Sequence, residues 1–412
     1  MRRTIATALA LAGLAVPAAP PSLAAAFPTF STQEIDPHVG DVCYAVTTAD
    51  VNGDRKPDVV AVTEEAVVWF ANPTWEKHVI IRGATQRDNV CIQAHDIDGD
   101  GRVDFALGAA WQPTNTQTGG TLQWLRRTGP DNAPWQVIPI GSEPTLHRIR
   151  WGHVMGTGKA QLVVAPLQGR GTKGPDWGSG NGVRLLVYTV PDDPVKGPWP
   201  VEVADDALHT IHNLQVTDFD RDGKDEVIVA AWEGVFLIKR DTDGRWSRRQ
   251  LGSGDQEASP SKGASEVKVA HLADDRHYIA TIEPWHGFQV VVYTPPRRGG
   301  GLWDRRVVDA PVQWGHAVWC ADLDGDGDQE LIVGQRDPSK DPGRMPKGPG
   351  IWVYDPKGGS SPLAFTRHII DDGGIGTEDL VAADLDGDQR LDLVAGGRST
   401  HNVKIYWNRP KK

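Results

Sequence analysis

Three of the 13 histidines, His147, His212 and His316, occupy one slot of a repeated pattern, six residues before the first position of an Asp-rich loop or of its degraded copy. Across seven copies the slot reads Tyr44, Val90, His147, His212, Ser265, His316 and Glu378. An imidazole titrates near neutrality, so histidines beside acids and guanidinium groups make an acid–base or a metal-binding set. Arg148 and Arg150 follow His147 and join the three histidines as candidate catalytic residues. Tyr44, Asn213 and Glu378 lie in or beside the slot, and loops expected on the same face carry Trp111, Arg170, Trp232, Glu283, His286, Arg336 and Arg398. Aromatic faces next to arginines and carboxylates suit sugar rings with acidic substituents, and these ten residues are assigned to substrate binding.

The Asp-rich loops offer different chemistry. Asp50, Asn52, Asp54 and Asp58 recur as Asp96, Asp98, Asp100 and Asp104; as Asp218, Asp220, Asp222 and Glu226; as Asp322, Asp324, Asp326 and Glu330; and as Asp384, Asp386, Asp388 and Asp392. Hard oxygen ligands at alternating positions around a glycine suit calcium in a structural role, although an Asx–Gly turn alone would produce the same spacing. The copies at Gly152 and Ala270 replace the acids, with His153, Met155 and Thr157 in one and His271 in the other, and are expected to bind no ion.

Both sets of residues must be positioned by the element that repeats. Each loop joins two apolar runs. A third run follows, as in VVWF from Val67 or IWVY from Ile351, and a fourth opens on an aromatic: Trp75, Trp135, Trp199, Trp246, Trp303 or Phe365. The spacing of roughly 45 to 65 residues and the four runs per unit predict an all-β, seven-bladed propeller. The seventh unit lacks its fourth strand, and FSTQEID from Phe30 is the spare copy. Pairing that segment with the strand near Lys404 would complete the last blade and lock the ring.

The opening Met1-Arg2-Arg3, the apolar run from Ile5 to Val16 and the small residues up to Ala26 have the order of a signal peptide, so residues 1–26 are expected to be removed and 27–412 to form one secreted, extracellular propeller domain. No later run is long and apolar enough to span a bilayer. A formal net charge of -11 without a basic stripe argues against nucleic acid as a partner and leaves carbohydrate. Cys43, Cys91 and Cys320 are too few for a disulfide framework; they read as buried apolar side chains, with one bridge between Cys43 and Cys91 as the alternative.

The Asp loops resemble those of the FG-GAP/VCBS repeat family. TLHRIRWGH from Thr145, VYTVPDDP from Val187, HTIHNLQV from His209, EPWHG from Glu283 and GHAVWCADLDGDG from Gly315 are similar to the propeller domain of the aldos-2-ulose dehydratases. Seven-bladed polysaccharide lyases of the rhamnose-glucuronate lyase type look similar in architecture. Both resemblances imply β-elimination, hence a carbon–oxygen lyase in which His147 matches the dehydratase motif. Arg148 or Arg150, or a divalent metal held in the channel by His212, His316 and Glu378, would then neutralise the enolate. The expected substrate is a uronate-containing glycan, with a keto-sugar such as 1,5-anhydrofructose as the second enzymatic reading and non-catalytic carbohydrate binding or adhesion as the third.

Overall fold

In a computed structural model the chain is described over residues 27–129, 133–259, 261–297, 299–310, 312–338 and 348–411. The expected signal peptide lies outside these residues. Runs such as Asp58–Thr63 and Glu226–Ala231 form strands buried along their whole length, because β-branched side chains meet an adjoining sheet on each face. The outermost strands, such as Glu76–Arg82, are largely open to solvent, with Ile80 and Ile81 buried.

The strands form seven four-stranded antiparallel sheets, the predicted seven blades. Six take their strands in chain order, and the seventh joins Thr377–Ala383, Asp392–Gly397 and Val403–Arg409 to the N-terminal Thr29–Asp36. The spare segment pairs where expected, Phe30 opposite Asn408 and Glu34 opposite Lys404. Seven apolar clusters fill the seven seams between neighbouring blades; Trp69 and Ile80 meet Phe105 and Trp135 in one, Val381 and Val394 meet Val46 and Val59 in another. Each fully buried Val, Leu or Phe there contributes roughly 1.5–3 kcal/mol.

The innermost strands run along the ring axis. In four of them the slot residue is a bulge: Tyr44, His147, His316 and Glu378 have no partner in the ladder, while the residues on either side pair normally. A bulge adds a residue without advancing the register, so the slot residue and its successor are both freed from strict alternation. All three cysteines are free thiols.

Candidate functional site

His147, His212 and His316 converge as the slot predicts. The ring centroids of His147 and His212 are 4.8 Å apart and those of His212 and His316 5.1 Å. His286 completes the group from the loop following Glu283; its Nε2 is 2.8 Å from that of His212. Its backbone lies in the left-handed region, at φ 50°, one residue after Trp285, on which its ring stacks. Trp111 stacks on His147 at 5.3 Å and meets Tyr44 edge-on, while Trp314 lies edge-on to His286.

His316 Nδ1 is 2.6 Å from the carbonyl oxygen of Glu378, so His316 holds its proton on Nδ1 and turns a bare Nε2 inward. His212 Nδ1 lies 2.8 Å from Glu266 Oε1, close enough for an ion pair but without hydrogen-bond geometry. One nitrogen from each of His212, His286 and His316 lies within 4.8 Å of the others. Three convergent imidazole nitrogens are a donor set that suits a borderline divalent metal such as zinc. His286 takes the third place expected of Glu378. That carboxylate is instead engaged by Arg398 at 2.8 Å and approached by Arg336 at 3.9 Å.

His147 differs from its neighbours: it is 3% exposed, and neither ring nitrogen has a hydrogen-bond partner among the described residues. Burial, then the Arg148 charge and the neighbouring imidazoles, push it well below the ordinary histidine range. Burial also lowers His212, His286 and His316 and raises Glu378, the last against the pull of Arg398, Arg336 and Arg148.

Several expected site residues are employed elsewhere. Glu283 is fully buried inside blade five, bound by the Tyr293 and Thr281 hydroxyls and by Arg305. Arg170 makes a two-pronged contact with Glu143, which also holds Arg184. Trp232 lies against Gly178 and makes no ring contact with the histidines among the described residues. Asn213 donates to Glu266 and so supports His212 indirectly. Arg150 points deeper into the channel, donating to the Ile149 carbonyl and toward Asn213 at 3.4 Å, which leaves Arg148 as the guanidinium beside the histidines. Glu266, which directly follows the slot residue Ser265, and Trp285, on the facing loop, also reach the site: Glu266 lies 2.8 Å from His212 Nδ1 and Trp285 stacks on His286.

The Asp loops lie at the other end of the innermost strands. Their first acid accepts backbone N–H groups of its own loop, as Asp322 does from Gly325 and Gly327. Their last acid accepts another, as Glu330 does from Leu323, and Asp58 and Asp392 also take the N–H of Asn72 and Asn408, whose side chains reach carbonyls of the preceding blade. Four loops gather three or four carboxylates within 4.8 Å; the loop at Asp50, with Asn52 second, does not. The third acid leaves the group in three of the four: Asp100 binds Arg102, Asp222 binds Lys239 and Asp388 binds Arg390. Only Asp322, Asp324, Asp326 and Glu330 keep all four acids together, with no Lys or Arg paired to them among the described residues. Burial pushes Asp324 up to about 6 and Glu330 up to about 9. In the degraded copy at Gly152, Gln161 replaces the last acid and still accepts the Met155 N–H.

The fold and these loops define a seven-bladed β-propeller with FG-GAP-like repeats, matched to that family model over residues 50–107 and 322–395. The more particular likeness is to the β-propeller domain of aldos-2-ulose dehydratase, whose family model matches residues 119–296, a stretch that includes His147, His212, Glu266 and His286. Aldos-2-ulose dehydratase of Phanerodontia chrysosporium is 31% identical over 256 residues, 57% of this chain and 27% of that protein, so the match spans about a quarter of the relative. Among solved structures, BBS1N in complex with ARL6DN has a TM-score of 0.55 at 13% identity, covering 95% of this chain and 99% of that one. An Agrocybe aegerita lectin that recognises non-reducing terminal N-acetylglucosamine has a TM-score of 0.51 at 14% identity, covering 88% and 98%. At such identities the likeness is one of fold.

Proposed function

We propose that the chain is a sugar dehydratase, a carbon–oxygen lyase that removes water from a keto-sugar by β-elimination in the mouth of the propeller channel. The observation that carries this reading is the position of His147, a buried imidazole with two unpartnered nitrogens beside an arginine, inside the stretch matched to the dehydratase propeller. A neutral imidazole is able to accept the proton α to a carbonyl as the C–H electron pair moves onto the carbonyl oxygen. Arg148 is placed to stabilise the enolate. As the β carbon–oxygen bond breaks, the departing hydroxide needs a proton, and Glu378, raised by burial, is the acid within 3.7 Å of His316 Nε2. A divalent metal held by His212, His286 and His316 would supply Lewis-acid polarisation of the carbonyl when bound.

Incubation with 1,5-anhydrofructose should yield a product lighter by one water. A uronate-glycan lyase is the second reading, favoured by Arg336 and Arg398 at the mouth, and would produce new ultraviolet absorbance from uronate-bearing gums instead. Absence of both products would remove the enzymatic reading. Calcium is proposed for the Asp322 loop, where all four acids gather with no Lys or Arg paired to them among the described residues, and export of the mature chain remains part of the proposal.

A further inference from the structure

Behind the histidines the channel widens into an axial cavity of about 280 Å³, bordered by all seven innermost strands. Four charged side chains line it: Arg148, Arg150, Lys268 and Asp379. All four sit at repeat-related positions, Arg148 and Asp379 one residue past the histidine slot and Arg150 and Lys268 three past it, and a two-residue step returns a strand to the same face. Arg148 is 5% exposed and Lys268 6% exposed, yet neither makes a hydrogen bond or an ion pair among the described residues. The Lys268 ammonium lies 5.0 Å from the Trp319 ring centroid, a contact that leaves its N–H donors free. Asp379 accepts the Val46 N–H, and nearby Glu266 accepts from Asn213 and lies 2.8 Å from His212 Nδ1.

A buried guanidinium without an acceptor is costly, and two guanidinium groups and the Lys268 amine against one lining carboxylate leave the space electropositive. We propose that this cavity is an anion-binding site that takes one small oxyanion, a phosphate, sulfate or carboxylate group, bridging Arg148 and Lys268 with Arg150 behind them. Guanidinium and ammonium donors recognise such groups through charge-assisted hydrogen bonds. The volume exceeds what one such group needs and admits a few waters beside it, at roughly 30 Å³ of liquid volume each. Burial and the Arg150 charge push Lys268 down to about 7, against the pull of Glu266, Asp379 and Cys320. An arriving anion should therefore draw a proton onto it.

The test is titration calorimetry of the whole chain at pH 7 with sodium sulfate, sodium phosphate and sodium glucuronate, each against sodium chloride at equal ionic strength. The expected result is saturable binding with proton uptake, seen as an enthalpy that varies with the buffer's ionisation heat, and at least tenfold weaker binding in Lys268→Gln and in Arg150→Gln. Sulfate and phosphate binding without glucuronate binding would identify a free inorganic anion; glucuronate competing with sulfate would identify the acid group of a sugar. Should either variant fail to fold, selenate-soaked crystals of the parent should show anomalous density between Arg148 and Lys268. Sulfate heats equal to those of chloride, variants that bind as the parent does, or no density at that place would overturn the site. None of these readouts depends on turnover, so they stand apart from the dehydratase reading.

Discussion

The unpartnered nitrogens of His147 separate it from every other histidine in the channel mouth, which all point at something. As the base, its replacement in His147→Ala should lower kcat by ~100-fold or more while the protein still unfolds cooperatively. His78, stacked on Trp69 near the outer edge of blade one, serves as the control, and His78→Ala should leave kcat unchanged. Normal turnover by His147→Ala would sink the mechanism. A second residue-scale prediction concerns Lys268. Its folded value of about 7 lies below the ordinary 10.5, so the unfolded chain binds more protons between those limits. The stability tied to this group is complete above about 10.5 and is lost as pH falls toward 7, with a slope of at most ~1.4 kcal/mol per pH unit. Comparing Tm of the parent and Lys268→Met from pH 7 to 9 isolates this from the thiols and phenols; parallel curves would show that Lys268 titrates normally.

The innermost strand is the element that turns a sequence slot into a site. Its bulge explains why residues six and five before the loop, which simple alternation would send to opposite faces, both reach the channel as His147 and Arg148. The repeat register made that slot legible without the bulge being visible. The loops after the second strands were harder to read, since a residue type says nothing about what it already binds: Glu283 and Arg170 look like Glu378 and Arg336 in sequence but are consumed by Tyr293 and Glu143. His286 was legible as a site residue and not as a third metal-type donor, because that depends on a positive φ next to Trp285. The Asp loops repeat the lesson. A shared spacing hides the Lys239 ammonium that lies between Asp220 and Asp222, and of the four loops that gather their acids only the Asp322 loop lacks such a cation among the described residues. Calcium should therefore raise Tm mainly through that loop. Glu330→Gln, which can still accept the Leu323 N–H, should abolish the calcium shift and leave the metal-free Tm at neutral pH nearly unchanged, since Glu330, pushed up to about 9 by burial and by Asp324, Asp322 and Asp326, is already uncharged there. A calcium shift of unchanged size in Glu330→Gln would move the ion to another loop.

At the scale of the whole molecule the fold was almost fully legible, because seven copies of one pattern leave few arrangements that bury all their apolar faces. Each sheet covers its neighbours and no blade has a core of its own, so stability is shared around the seams and depends on the last seam closing. That closure is carried by Thr29–Asp36, which contributes seven paired positions to Val403–Arg409, an Asn402 amide contact to Glu34 and an ion pair from Asp36 to Lys77 of blade one. At a net 0.5–1.5 kcal/mol per backbone hydrogen bond, removing the strand should cost on the order of 5 kcal/mol and expose the edge of Val403–Arg409 to other chains. A chain starting at Pro37 should thus melt lower and associate at high concentration. A peptide of residues 27–36 added in trans should restore both Tm and the monomer, because it re-forms the same ladder without the covalent link. A scrambled peptide that rescues equally, or a truncated chain that melts with the parent, would show that the ring is held by its seams and not by this strand.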